Sequence, residues 1–239
     1  MQEFIFFSIN FPESEKEFKK KVFFENMLPL GCKNMDLLLD GGLLEKVITE
    51  IYGAPGTGKT TFALQAALNA ARIGKEVLFL DTESSFNFRR FEQMAGPRFK
   101  EFLKRITIKD MYSFEEQEKV CENIFGDLVI VDCFTYFYRL EKNNENREEI
   151  NRRLGKILAK LNEHARKNNA AVLLTNQVYF DLKTNKEEPV SGDLLEYFSK
   201  VILELKNKEE RKAILKKHVF KKPGQEVYFK ITDLGIIDV

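Results

Sequence analysis

Eight consecutive residues, Gly53 to Thr60, have the sequence of a loop that binds phosphate. They read Gly-Ala-Pro-Gly-Thr-Gly-Lys-Thr and match the pattern GxxxxGK[ST] in full. Because glycine has no Cβ, the backbone N–H groups of such a loop can turn inward around phosphate oxygens. We expect the Lys59 ammonium to reach the β- and γ-phosphates of ATP and the Thr60 hydroxyl to ligate Mg²⁺. The alternative is a glycine-rich turn with no ligand, but a strand-like run precedes this loop and a helical pattern follows it.

Two acidic residues that follow apolar runs are candidates for the chemistry at the nucleotide. Asp132 ends the run 128–131, and a carboxylate at the carboxyl end of a buried parallel strand lies where open α/β sheets bind ligands. We expect Asp132 to hold Mg²⁺ through water. Glu83 follows another apolar run and is the candidate general base that orients the attacking water. Taken alone, Asp132 could be a turn or cap residue and Glu83 the start of a helix.

A polar pair, Asn176-Gln177, follows a third apolar run. Gln177 could contact the γ-phosphate and pass its state to the next loop, and with Lys59 and Glu83 it completes the predicted catalytic residues. The alternative is a polar residue that satisfies backbone groups at the end of a strand.

Strand and helix patterns alternate around these motifs. Apolar runs predict strands over 47–52, 76–81, 106–108, 128–132, 170–178 and 201–205, and helical patterns predict helices over 59–73, 113–125 and 147–168. Residues 212–220 and 227–232, joined by a turn at Pro223-Gly224, predict an antiparallel hairpin. The expected fold is one α/β domain with a mainly parallel central sheet, helices on both faces and a C-terminal antiparallel hairpin.

Residues 1–26 differ in character from the rest. A phenylalanine-rich stretch leads into an almost wholly charged one, Glu13–Lys21 in the printed sequence, and then into Val22-Phe23-Phe24. One interpretation is an extra strand or arm packed on the domain. The other is that Met27 is the true start of translation. The predicted core spans 27–239.

Composition excludes several classes of protein. The chain has 239 residues, 44% of them hydrophobic and 31% charged, with 13 Gly, 6 Pro and three Cys. These values exclude a disordered chain, a collagen-like repeat and a disulfide scaffold. The cysteines form no CxxC pair, and no apolar run approaches the ~18 residues of a membrane span. Residues 4–9 are too short for the apolar part of a signal peptide, so we expect a cytoplasmic protein with no membrane contact.

The net charge of +1 argues against a nucleic-acid partner until it is examined locally. Residues 211–222 carry six Lys or Arg and no acid, and outside them 32 basic residues face 37 acidic ones, a balance of −5. Such a segment is typical of salt-sensitive contacts with phosphates, and the alternative is a solvated hairpin edge protected by lysines. A second candidate surface is the basic face of helix 147–168, formed by Arg152, Arg153, Lys156 and Lys160. The predicted DNA-binding residues are Lys216, Lys217, His218, Lys221 and Lys222.

Four segments, in this order and spacing, resemble the core of the RecA/RadA recombinase family: 53–61, 80–83, 129–132 and 175–178. Residues 30–42, 85–90, 189–192 and 229–236 are also similar to family segments. The resemblance covers about 27–239 and implies a RecA-like P-loop NTPase core. It implies that ATP is held by Gly53, Ala54, Pro55, Gly56, Thr57, Gly58, Lys59, Thr60, Thr61 and Arg90, the last packing against adenine.

Within the family the chain most resembles the short archaeal paralogue of RadA. Only 26 residues precede the core, too few for the helical DNA-binding domain of recombinases, and they contain no Phe-x-x-Ala polymerisation motif. Residues 133–147 lack a glycine-bearing first DNA loop, and the second loop, 179–191, is shortened. The resemblance therefore implies a weak ATPase that binds single-stranded or branched DNA without sequence preference and does not drive strand exchange.

The resemblance further implies an accessory role in DNA repair and homologous recombination, beside the RadA recombinase and a Holliday-junction resolvase. One alternative is a KaiC-like signalling ATPase that acts on protein partners without DNA. Another is a nucleotide-bound adaptor with negligible turnover. Both alternatives share the phosphate loop, but the C-terminal basic segment favours the accessory role in DNA repair over them.

Overall fold

The computed structural model describes residues 27–143, 145–182 and 185–239. The strands are β1 (Met27–Leu28), β2 (Leu43–Leu44), β3 (Ile48–Gly53), β4 (Val77–Asp81), β5 (Ile106–Asp110), β6 (Leu128–Asp132), β7 (Ala171–Asn176), β8 (Val178–Asp181), β9 (Lys186–Pro189), β10 (Ser199–Asn207), β11 (Arg211–Lys217), β12 (Glu226–Thr232) and β13 (Gly235–Asp238). The helices are α1 (Lys33–Leu38), α2 (Lys59–Arg72), α3 (Phe88–Ala95), α4 (Phe99–Leu103), α5 (Phe114–Val120), α6 (Tyr136–Glu141), α7 (Arg147–Asn168) and α8 (Gly192–Phe198). The interpretations of residues 1–26 concern a segment outside the described residues.

One large sheet dominates the described part of the chain. Its strand order is β13-β12-β11-β10-β3-β7-β6-β4-β5. The pairs from β10 to β5 are parallel, whereas β10, β11, β12 and β13 pair antiparallel in succession. The predicted parallel sheet and C-terminal hairpin are confirmed, and β13 extends the hairpin by one strand. Because parallel strands point the same way, the predicted site residues at their carboxyl ends meet at one edge of the sheet.

Strand β6 shows how the sheet divides the core into two layers. Leu128 and Ile130 point into the layer that contains α2, whereas Val129 and Val131 point into the layer that contains α7. This alternation is the period-2 geometry of a strand that is buried on both faces. Helix α7 has the predicted bounds, and its predicted apolar stripe is buried: Ile150, Leu154, Ile157, Leu158, Leu161 and Ala165.

Several predicted elements have different bounds in the structure, among them the helix 113–125 and the strand 170–178. Helix α5 has the expected N-cap, since the Ser113 hydroxyl accepts a hydrogen bond from the Glu116 N–H at 3.0 Å, but it ends at Val120 and not at 125. The predicted strand 170–178 divides at Gln177, whose carbonyl accepts a hydrogen bond from the Val190 N–H at 3.0 Å. Strand β8 therefore leaves the main sheet and pairs antiparallel with β9.

The short elements α1, α3, α4, α6 and α8 and the hairpin β8–β9 were not predicted. Each of these helices has eight residues or fewer, short of the ~11 residues over which a helical hydrophobic repeat becomes distinct. Across the described residues, none of the helices combines the length and apolar character that crossing a membrane requires.

Candidate nucleotide-binding site

The phosphate loop connects β3, which ends at Gly53, to α2, which begins at Lys59. Gly58 precedes the helix with a φ of +110°, and a Cβ there would lie 2.7 Å from Ile231 Cδ1. A Cβ on Gly53 would lie 2.4 Å from the carbonyl oxygen of Leu205 in the neighbouring strand β10. Both positions therefore require glycine, one for its backbone conformation and both for the close approach of the neighbouring strands.

Hydrogen bonds hold the loop from both sides. The Lys59 ammonium donates to the carbonyl oxygens of Gly53 at 2.8 Å and Ala54 at 3.0 Å. Arg211, from β11, donates to the carbonyl oxygen of Gly56 at 2.6 Å. Burial lowers the pKa of Lys59, while the negative charges of Asp132 and Glu83 act in the opposite direction.

The loop forms the floor of a cleft of about 360 Å³. Its lining residues are Pro55, Gly56, Gly58, Lys59, Thr60, Thr61, Glu83, Asp132, Gln177 and Ile231. Six of the predicted nucleotide-binding residues thus meet the three predicted acidic and amide residues in one place. Gly53, Ala54 and Thr57, the other residues of the loop, do not line the cleft. The Thr57 hydroxyl donates to the Ala54 carbonyl oxygen at 2.9 Å within the loop.

Arg90 stands apart from the lining of this cleft. It lies on α3, and its guanidinium donates to the carbonyl oxygen of Thr232 and lies 3.7 Å from the carboxylate of Asp233. These contacts place Arg90 at the turn between β12 and β13. Thr232 directly follows Ile231, which lines the cleft. Its predicted packing against adenine stays a prediction.

Asp132 is buried at the end of β6, where two hydroxyl groups hold its carboxylate. Thr175 donates to Oδ1, and the Ser85 hydroxyl lies 2.8 Å from Oδ2. Strand register places Asp81 beside Asp132, and Asp81 accepts hydrogen bonds from the N–H groups of Ser85 at 2.9 Å and Phe86 at 2.7 Å. Asp81 thus stabilises the turn that carries Glu83. The same turn places the Ser85 hydroxyl next to Asp132.

Glu83 lies at the mouth of the cleft and is linked to Gln177. The Gln177 amide nitrogen donates to Glu83 Oε1 at 2.7 Å, and Arg139 of α6 donates to Gln177 Oε1. Partial burial and the charge of Asp132 raise the pKa of Glu83, although the hydrogen bond from Gln177 and the charges of Lys59 and Arg139 oppose the rise. A carboxylate with a raised pKa beside a phosphate loop is suited to accept a proton from water.

The donor set at the cleft fits Mg²⁺. Among the described residues, His, Cys, Asp and Glu side chains do not form a group of three that could hold a metal without other ligands. Magnesium, however, usually takes only one or two protein oxygens and completes its shell with phosphate oxygens and water. Thr60 and Asp132, which line the same cleft, supply that number.

The predicted DNA-binding segment is divided between two surfaces. Lys216 and Lys217 line a second cavity, of about 890 Å³, where Lys216 lies 3.4 Å from Glu204 and Lys217 donates to the Glu196 carbonyl oxygen at 2.5 Å. His218 and Lys221 instead face the region of α1. The His218 Nε2 lies 3.3 Å from the Leu39 carbonyl oxygen, Lys221 donates to that of Leu37, and burial lowers the pKa of His218. Lys222 is exposed.

On the second candidate surface, the basic face of α7, one of the four residues is engaged in contacts within the protein. Arg153 donates to Glu118 at 2.9 Å, lies 3.4 Å from Glu141 and stacks over the ring of Phe114. It therefore ties α7 to α5 and α6. Arg152, Lys156 and Lys160 are exposed on the same helix, and Lys160 forms an ion pair with Glu163.

The fold and the cleft define a P-loop nucleotide-binding protein with a RecA-like core. A family model described as Rad51 matches residues 25–239, and the chain belongs to the Rad51 family. It is 38% identical over 226 residues to the DNA repair and recombination protein RadB of Methanosphaera stadtmanae, covering 89% of this chain and 97% of that protein. It is 41% identical over 210 residues to RadB of Methanococcus maripaludis strain C7, covering 84% and 96%.

A solved structure supports the same relationship. A crystal structure of the RadB recombinase superposes with a TM-score of 0.77 at 37% identity, covering 89% of this chain and 100% of that one. The predicted resemblance to the RecA/RadA family, and to its short archaeal paralogue, is confirmed.

Three residues of the site were missed from the sequence. Ile231 lies within the last predicted strand, 227–232, and forms a wall of the cleft next to Gly58. Arg211 belonged to the basic segment, but it binds the tip of the phosphate loop. Arg139 stood in a segment noted only for a missing loop. Each contacts the site from a segment that is distant in the sequence, and the sequence carries no local signal for such contacts.

Proposed function

We propose that this protein is an ATP-dependent accessory protein of DNA repair and homologous recombination. It binds ATP with Mg²⁺, hydrolyses it slowly, binds DNA without sequence preference and does not drive strand exchange. The observation that carries the proposal is the convergence of Lys59, Thr60, Asp132 and Glu83 on one cleft. Relatives that are 38–41% identical and are named DNA repair and recombination proteins support the biological setting.

In this proposal each residue has a separate role at the nucleotide. The phosphate-loop N–H groups and Lys59 bind the phosphates, and Thr60 and Asp132 hold Mg²⁺, which neutralises charge on the β- and γ-phosphates. Glu83 accepts the proton of the attacking water, and Gln177 keeps the Glu83 carboxylate in place. The hydroxyls of Ser85 and Thr175 keep Asp132 oriented.

Two substitutions separate binding from hydrolysis. Lys59→Ala should abolish binding of a fluorescent ATP analogue. Glu83→Gln should keep that binding and lower the phosphate-release rate, by roughly 10²-fold if Glu83 is the general base. Equal rates in wild type and Glu83→Gln would leave Glu83 without a catalytic role and would favour the nucleotide-bound adaptor.

For DNA, the structure favours Lys216 and Lys217 over the rest of the predicted segment. They line the 890 Å³ cavity together with Arg139, Lys142 and Tyr179, although five acidic residues line it as well: Glu50, Asp181, Glu188, Asp193 and Glu196. Tyr179 and its neighbour Phe180 are about half exposed, at 49% and 55%, which suits stacking on unpaired bases. Lysines beside exposed aromatic rings are the usual combination of single-strand binding surfaces.

Filter binding of single-stranded DNA across a salt series tests this surface. The double variant Lys216→Gln/Lys217→Gln should lower the slope of log K against log salt by about 1.4, since each phosphate contact on a single strand contributes about 0.7. The pair Lys156→Gln/Lys160→Gln removes the same charge from the second candidate surface on α7 and shows which of the two surfaces binds DNA, and Lys221→Gln/Lys222→Gln tests the far end of the segment. No binding at low salt in the wild type would favour the signalling ATPase that acts on proteins.

The partner proteins of the proposal are RadA and a Holliday-junction resolvase. The support is the family resemblance and the missing loops, which argue for an accessory role. A pull-down with purified RadA, with and without ATP, tests the first partner, and the Lys59→Ala variant is the control for nucleotide dependence. Failure to retain RadA in every condition would remove it from the proposal.

A further inference from the structure

A chain of hydrogen bonds leads from α6 to the mouth of the nucleotide cleft. Arg139, near the end of α6, donates to Gln177 Oε1, and Gln177 Nε2 donates to Glu83 Oε1 at 2.7 Å. Arg139 is not one of the residues that line the nucleotide cleft; it lines the larger cavity. Its hydrogen bonding therefore reaches Glu83 only through Gln177.

The chemistry of the three groups fixes the direction of this chain. A guanidinium only donates hydrogen bonds and an ionised carboxylate only accepts them, whereas an amide has one end of each kind. Arg139 on one side therefore requires the Gln177 oxygen, which leaves the amide nitrogen for Glu83. Without Arg139 the Gln177 oxygen loses this donor, and the hydrogen bond to Glu83 alone is left to hold the amide.

The charge of Arg139 acts in the same sense. It is one of the groups that lower the pKa of Glu83 against burial and the charge of Asp132, which raise it. Loss of Arg139 removes both this charge and the fixed amide. The carboxylate then becomes easier to protonate and less well placed.

We infer that Arg139 is a positioning residue for the proposed hydrolysis, which fixes the amide of Gln177 and through it keeps the Glu83 carboxylate correctly oriented. The inference rests on the proposed function for its effect on turnover. Its effect on Glu83 itself does not require turnover. Because Arg139 is exposed, substituting it leaves the packed core intact.

Arg139→Gln tests the inference through two readouts. The kcat for ATP hydrolysis should fall roughly tenfold while KM changes little, because Arg139 does not line the nucleotide cleft. A ¹³C NMR titration of the Glu83 carboxyl, assigned with Glu83→Gln, should move to higher pH. Arg89→Gln is the matched control, since it removes the same charge from an exposed position on α3, and it should leave both readouts unchanged.

Gln177→Leu shows whether Arg139 acts through the amide. In that background Arg139→Gln should cause no further loss of kcat, because coupled residues are not additive. A tenfold loss that persists in the Gln177→Leu protein, or a Glu83 titration in Arg139→Gln that matches the wild type, would overturn the inference. A wild-type protein without ATP turnover would instead refute the proposed function, and the titration would still decide the role of Arg139.

Discussion

Replacing Gln65 by methionine should destabilise the protein far more than the same change at Gln117. Both glutamines are buried, but their hydrogen bonding differs. The Gln65 amide nitrogen donates to the carbonyl oxygens of Leu30 at 2.9 Å and Ile236 at 3.0 Å, and its oxygen accepts from the Ile236 N–H at 2.6 Å. One side chain of α2 thus joins the segment before α1 to the last strand of the sheet.

The expected loss follows from the groups left without a partner. The Leu30 carbonyl keeps a second donor, Asn69. The substitution therefore leaves chiefly the N–H and the carbonyl of Ile236 without a hydrogen-bond partner. Two buried unpaired groups at about 1–3 kcal/mol each would cost roughly 2–6 kcal/mol. Methionine keeps most of the packing and removes the buried polar amide itself, which offsets part of this cost, so we expect a loss of roughly 2–4 kcal/mol.

Gln117 provides the control because it is only half satisfied. Its amide nitrogen donates to the Phe134 carbonyl oxygen at 3.1 Å, while its oxygen has no partner among the described residues. Gln117→Met leaves the Phe134 carbonyl without this donor but also removes a buried unpaired oxygen, so the two effects largely cancel and the net change should be roughly 0–1 kcal/mol.

Urea denaturation of the full chain measures both values. For a protein of this size the Gln65→Met loss corresponds to a Tm lowered by roughly 4–16 °C. The reasoning is refuted if Gln65→Met lies within about 0.5 kcal/mol of the wild type, or if Gln117→Met costs as much. An unchanged m-value would show that the unfolded states are comparable.

Three further predictions concern the loop and two carboxylates. Gly58→Ala, whose Cβ would meet Ile231 and whose φ is +110°, should weaken binding of a fluorescent ATP analogue by roughly tenfold or more. Burial raises the pKa of Glu50 to about 7, while the hydrogen bond from Asn176 lowers it. Glu50 should therefore make stability fall as pH rises from about 4.5 to 7, and Glu50→Gln should flatten the urea-denaturation profile in that range. Asp238 is partly desolvated, but its hydrogen bonds with the start of α1 lower its pKa. Asp238→Ala should cost roughly 0.5–1 kcal/mol at pH 7, a difference that disappears in acid as the wild-type carboxylate is protonated.

Much of the fold and the heart of the site could be predicted because their signals are local. The phosphate loop is contiguous, and Asp132, Glu83 and Gln177 each end an apolar run whose strand type is evident. Parallel strands in one sheet bring such residues to a common edge whatever their order. The long helix α7 was predicted with its bounds because a full stripe of apolar residues repeats along it.

The parts that failed depend on contacts between distant segments. Which strand lies beside the phosphate loop is decided by sheet order, so the place of Ile231 in the cleft could not be predicted. The basic segment looked continuous in the sequence, but β11 ends at Lys217 and the chain turns. Lys216 and Lys221 therefore contact different parts of the fold.

The hydrogen bonds between Gln65 and Ile236 can form only near the end of synthesis of the chain. Gln65 and Ile236 are 171 residues apart in the chain. At roughly 5–20 residues per second, a ribosome makes Ile236 about 10–30 s after Gln65. Throughout that interval the nascent chain has a phosphate loop without Ile231 above it and an α1 whose first N–H groups lack Asp238. A ribosome that stalls before β12 therefore displays a phosphate loop whose cleft still lacks its Ile231 wall.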